Sequence, residues 1–151
     1  MRSQMLEELI TLEDSTTLFL EHLKGELLKV KLISQVESLG TLKRTVVLFF
    51  DSNKAPVLYC ESSLKIGNIM SSEYKQLIEG KQPIGKVFNC KSPTVAMKKG
   101  IEIKKLHNRL VADTMNVRSQ TFYKKTYSYV INGRDIGQIS EFFNMETLNR
   151  L

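Results

Sequence analysis

The sequence predicts an α+β domain in which an antiparallel β-sheet is flanked by helices. Three observations carry that expectation. The chain of 151 residues is most simply one domain, 1–151, with room for a buried core. At least four runs rich in β-branched and aromatic residues can pair as antiparallel neighbours. Between and before them lie segments with helical spacing and recognisable caps.

Taken in order, residues 3–10 read as a short helix. "LEDSTTLFLEHLKGE" (12–26) reads as a second, capped by Asp14 or Ser15, with Leu18, Phe19 and Leu23 on one side and Gly25 as its stop. "LLKVKLISQVE" (27–37) alternates, Leu28, Val30 and Leu32 against Lys29 and Lys31, as a half-buried strand does. "LKRTVVLFFD" (42–51) and "PVLYCESSLKI" (56–66) form a hairpin through "SNKA". A helix follows over 70–79, with Tyr74, Leu77 and Ile78 in helical register, Ser71 or Ser72 as cap and Gly80 as stop. "GIEIKKLHNRL" (100–110) fits a strand or a helix. "QTFYKKTYSYVI" (120–131) and "IGQISEFFN" (136–144) flank Asn132-Gly133, a strong hairpin signal.

Composition narrows the function classes. No apolar run approaches the roughly 18 residues that span a bilayer, and the N-terminus lacks a secretory pattern, so no membrane partner is expected. Cys60 and Cys90 have neither metal-ligand nor redox-motif spacing and read as two reduced thiols of a cytoplasmic protein. The net charge of +6 is concentrated in residues 79–125, with eleven Lys/Arg against three Asp/Glu. No nucleic-acid-binding signature accompanies it, so an anionic small molecule is the better partner, and Lys98, Lys99, Lys104 and Lys105 are read as solvated.

"GKQPIGKVF" (80–88) begins as a phosphate-binding loop would, G-x-x-x-x-G-K, but Val87 stands where Mg²⁺ needs a hydroxyl, and the stretch follows a helix rather than a strand. His22 and His107 have no metal spacing, and Ser62 and Ser63 lack the flanking glycines of a hydrolase nucleophile. No metal site is expected. Arg44 shares a strand face with Val46 and Leu48, and Glu141 with Ile139 and Phe143, so both point into apolar surroundings. A buried charge is expensive unless paired. The two form either a structural ion pair, which the residues alone favour, or the two ends of a polar ligand site.

"LEDST" (12–16), Arg44 heading a strand, "GKQPIGKVF" (80–88) and "ISEFF" (139–143), in that order and spacing, resemble the chorismate pyruvate-lyase (4-hydroxybenzoate synthase) family, including its shorter microbial relatives, over about residues 12 to 145. The resemblance implies a chorismate lyase-like fold with a ligand buried between sheet and helical flaps, no cofactor, and conversion of chorismate to 4-hydroxybenzoate and pyruvate. Under it Arg44 grips a ring carboxylate, Glu141 contacts the 4-hydroxyl, and the Ile84 backbone N–H meets the ligand, with Gly85 leaving room beside it. Thr16 stands where a lyase has a pocket-lining methionine. Cys60 and Glu61 stand where one has Gly followed by Arg, and Glu61 facing the site would disfavour a dianion. Lys81 or Lys86 is the candidate for the enolpyruvyl carboxylate. The ligand is thus an aromatic or cyclohexadienyl acid, and the chemistry needs only desolvation and orientation. The alternative is a non-catalytic small-acid binding domain like the effector domains of some bacterial repressors. The lack of a winged-helix segment leans towards the enzyme, and the oligomeric state is left open.

Overall fold

In a computed structural model, which describes residues 3–89 and 95–151, the strands form one six-stranded antiparallel sheet. Cys90 lies outside the described residues. Helices α1 (Gln4–Thr11) and α2 (Thr16–Lys24) come first, then strands β1 (Leu28–Ser38), β2 (Thr41–Phe50) and β3 (Pro56–Lys65). A 3₁₀ turn leads to α3 (Ser71–Glu79) and α4 (Ile84–Asn89), and the second half adds β4 (Ala96–His107), α5 (Arg109–Met115), β5 (Thr121–Ile131), β6 (Arg134–Phe143) and α6 (Met145–Leu148). The spatial order β1-β2-β3-β6-β5-β4 joins two three-stranded meanders through an antiparallel β3–β6 seam. The expected α+β architecture holds.

Local signals explain most boundaries. Ser15 caps α2 through the Leu18 amide, and Gly25 and Gly80 end their helices with φ of 71° and 68°, a region open to glycine at little cost. Asn132 and Gly133 both take positive φ, as a tight hairpin turn requires. The α3 cap differs from expectation: Met70 occupies it, and its amide donates to the Glu73 carboxylate. The ambiguous 100–110 segment belongs to β4 up to His107, after which Asn108 caps α5 through the Val111 amide. Helices α5 and α6 have no counterpart in the sequence reading, and half of the expected glycine loop is the short helix α4.

Two faces of the sheet have different covers. On one, apolar clusters around Leu6, Leu9, Leu20, Leu48 and Phe143, and around Leu77, Phe88, Tyr129 and Ile139, pack beneath the helices. On the other, α5 covers Val47, Tyr59, Phe122 and Phe142. The expected inner side of α2 is a correction. Leu18 and Leu23 are 49% and 47% exposed, while Thr16, Thr17, Leu20 and Glu21 are buried. That helix turns polar groups inward because buried partners await them: Glu141 accepts from Thr16, and Glu21 meets Lys86 and the Leu28 amide. Strand β1 departs too: Leu28 is buried and Val30 half-buried, but Leu32 is exposed, and the edge strand stays largely exposed beyond the bulge at Ile33.

Candidate functional site

The registers place Arg44 beside Ser62, Ile139 and Tyr127 across the sheet, and Val46 beside Cys60, Glu141 and Lys125 one step along. Directly paired residues share a face. Of these, Arg44, Val46, Cys60, Tyr127, Ile139 and Glu141 form the floor of a pocket beneath the helices, with about 470 Å³ of empty space including its mouth. Its walls come from Ser15, Thr16 and Thr17 at the start of α2 and from Pro83, Ile84 and Gly85 at the start of α4. Val46, Leu48, Ile139, Tyr127 and Tyr129 give it an apolar lining.

Arg44 is 2% exposed, and its Nη2 donates to the Gln82 carbonyl at 2.9 Å. Its Nε and Nη1 have no hydrogen-bond partner among the described residues. Burial lowers its pKa, since a desolvated guanidinium favours losing its charge. No ion pair joins Arg44 to Glu141 among the described residues, so the structural-pair reading is corrected. Glu141 is held instead by Thr16, whose hydroxyl donates to Oε1 at 2.9 Å, and by Lys98, whose Nζ lies 3.9 Å away. Lys98 also donates to Thr16 Oγ1 at 2.8 Å and sits 5.0 Å from the Tyr127 ring centre. Its side chain is buried, although the edge-strand backbone beside it is partly open. The expectation of a solvated Lys98 is therefore corrected.

Burial first, then the Glu141 charge, holds the Tyr127 phenol well above its usual range. The same two causes raise the Cys60 thiol, so it stays protonated. Gly85 is needed for close approach: a Cβ there would lie 2.9 Å from Ser15 Oγ and 3.3 Å from Thr17 Oγ1. Lys86 is paired with Glu21 at 2.7 Å, and Lys81 is exposed.

The structure thus gathers Arg44, Glu141, Thr16, Ile84, Gly85 and Cys60 around one pocket. Glu61 is a correction. Cys60 and Glu61 are consecutive in β3, and consecutive strand residues face opposite ways. Glu61 lies on the far face beside Thr45 and Ser140, in a polar groove with Lys43 and Lys124. Lys98, Tyr127 and Tyr129 were missed as pocket residues. Tyr127 and Tyr129 share the alternation of "KTYSY" with Lys125, the same argument that singled out Glu141. For Lys98 no local signal exists, because its burial depends on a bulged edge strand.

No family model matches the chain, and no curated protein matches it. Solved structures do. A GntR-family transcriptional regulator from Enterococcus faecalis V583 aligns with a TM-score of 0.55 at 11% identity, covering 78% of this chain and 94% of that one. The ligand-binding domain of a protein described as a GntR-family transcriptional regulator, from Bordetella bronchiseptica, aligns at 0.59 and 7% identity, covering 79% and 86%. PhnF from Mycobacterium smegmatis aligns at 0.60 and 10% identity over 88% of this chain but only 64% of its own length. Such low identity shows the fold alone. It is the fold of regulator ligand-binding domains, shared with chorismate lyase. The lean towards an enzyme that rested on a missing winged helix has no force, since the Bordetella structure is itself a ligand-binding domain. No described helix is long and apolar enough to cross a membrane.

Proposed function

We propose that this domain binds a small monocarboxylic acid with an apolar, aromatic body and does not convert it. The observation that carries the reading is Arg44, a buried guanidinium in the pocket floor with two nitrogens that have no partner among the described residues. Leaving such donors unmade is costly, and a carboxylate satisfies them with charge-assisted bonds. The ring would lie against Tyr127, Tyr129, Ile139 and Val46, with its far end towards Thr16 and Glu141. The first turn of α4 adds the Ile84 amide at the mouth.

Charge balance sets the ligand class. Of the two cations lining the pocket, Lys98 has Glu141 as its partner, while Arg44 has no acidic partner among the described residues. One carboxylate fits that balance better than the two of chorismate. The likeness to regulator ligand-binding domains supports binding over turnover. Titration calorimetry with 4-hydroxybenzoate and benzoate tests the reading, alongside incubation with chorismate. Binding without pyruvate release is expected. Pyruvate formed above uncatalysed decay would restore the lyase, and absence of binding by either acid would sink the carboxylate site.

A further inference from the structure

Lys125 lies behind the pocket floor with no exposed surface. Its Nζ donates to the Leu9 carbonyl at 2.9 Å and to the Leu12 carbonyl at 2.5 Å. These oxygens close α1, where helix geometry leaves carbonyls without partners and the helix dipole is negative. Lys98 reaches the same Leu12 carbonyl from β4 at 3.5 Å, then donates to Thr16, which donates to Glu141. The turn from Leu12 to Thr16, which carries one wall of the pocket, is therefore seated on two buried ammonium groups. Capping those carbonyls returns only part of what burying a second ammonium costs. An apolar side chain of similar volume would avoid the desolvation of Lys125.

We propose that Lys125 is a positioning residue for the pocket: by pinning the end of α1 it fixes Thr16 against Glu141, and ligand affinity depends on that seat. The proposal rests on the binding reading above. The charged or titratable groups facing Lys125 are Lys98 from β4, Glu141 from β6, Glu13 from the turn between α1 and α2, and Tyr127 of β5. Burial, and next the Lys98 charge, bring its pKa down to about 8, with Glu141 and Glu13 opposing. As pH rises through that value the ammonium becomes an amine, and its bonds to the two carbonyls lose charge assistance, which is worth roughly half their strength.

The test compares the wild-type chain with Lys125→Met in three measurements. In the ligand-free proteins at pH 7, amide exchange over residues 12–20 is expected to speed up by about tenfold or more in the variant, with the sheet unchanged. Thermal unfolding should show a midpoint close to wild type, because relief of a buried cation offsets the two carbonyls that lose their donor. Benzoate, which has no group titrating there, should bind wild type severalfold more weakly at pH 9.5 than at pH 6.5. The variant should bind weakly at both. Unchanged exchange over 12–20, or a pH dependence that survives in Lys125→Met, overturns the proposal. So does faster exchange throughout with a lower midpoint, which makes Lys125 a plain structural residue. If wild type binds no benzoate, the binding reading fails by itself, and the exchange comparison still decides whether Lys125 pins the turn.

Discussion

Replacing Arg44 with Met should make the empty protein more stable while removing its ligand affinity. Two buried guanidinium nitrogens, Nε and Nη1, have no partner among the described residues, and each unmade donor costs about 1–3 kcal/mol. Against that relief of about 2–6 kcal/mol stands one lost bond from Nη2 to the Gln82 carbonyl, worth about 1.5–3 kcal/mol for a charged donor. Gln82 is exposed, so water can take over its carbonyl. At mid-range values the balance is a gain of about 2 kcal/mol, between limits of about −1 and +4.5 kcal/mol. In urea the midpoint should then rise by about 0.5–1.5 M at a slope near 2 kcal/mol per M, with the slope unchanged. Two charge-assisted bonds to a carboxylate are worth at least about 3 kcal/mol, so benzoate affinity should fall by about 100-fold or more. A variant destabilised by more than about 1 kcal/mol at constant slope would refute the reasoning. The spare nitrogens would then be satisfied in the native protein, and Arg44 would be holding the fold together.

Gly85→Ala should cost about 1–2 kcal/mol in thermal unfolding, because the new methyl displaces Ser15 from its cap on the Leu18 amide; combining it with Ser15→Ala should add little beyond Ser15→Ala alone. Glu61→Gln should leave benzoate affinity within about twofold and stability within about 0.5 kcal/mol, as expected of a half-exposed charge on the far face; a large affinity change would return Glu61 to the site. Gly137→Ala should be severe, by about 3 kcal/mol or more in chemical denaturation. Its φ is 132°, and a Cβ would lie 2.1 Å from the Ser63 carbonyl oxygen in the β3–β6 seam.

The parts of the molecule legible in the sequence are those whose physics is local. Gly25, Gly80 and Asn132-Gly133 announced their turns because positive φ is a property of single residues. Arg44 and Glu141 could be placed on a buried face by period-two alternation with their neighbours. The same rule, applied to consecutive Cys60 and Glu61, admits only one of them to a shared face, and Lys125 between Tyr123 and Tyr127 could have been flagged likewise. Other features depend on distant partners. The polar inward face of α2 makes sense only once Lys86 and the Leu28 amide are seen on Glu21. The burial of Lys98 awaits the arrival of Thr16 and Glu141. Whether Arg44 and Glu141 neutralise each other was likewise undecidable along the chain, since Glu141 takes its partners from α2 and β4.

The hydrogen bond from Thr16 to Glu141 joins residues 125 positions apart, and this has a consequence during synthesis. A ribosome adding roughly 5–20 residues per second takes roughly 6–25 s to travel from one to the other. Throughout that interval the floor is incomplete, even once α4 has supplied the second wall, because Tyr127, Tyr129, Ile139 and Glu141 come last, so a ligand has no finished site to hold. Unlike a metal that drives the folding of a small domain, an acid bound here cannot guide the early chain. It can only lock a finished one, raising the stability of the completed protein by mass action. Any chain cut short before β6 is consequently blind to the ligand, however well its first meander folds.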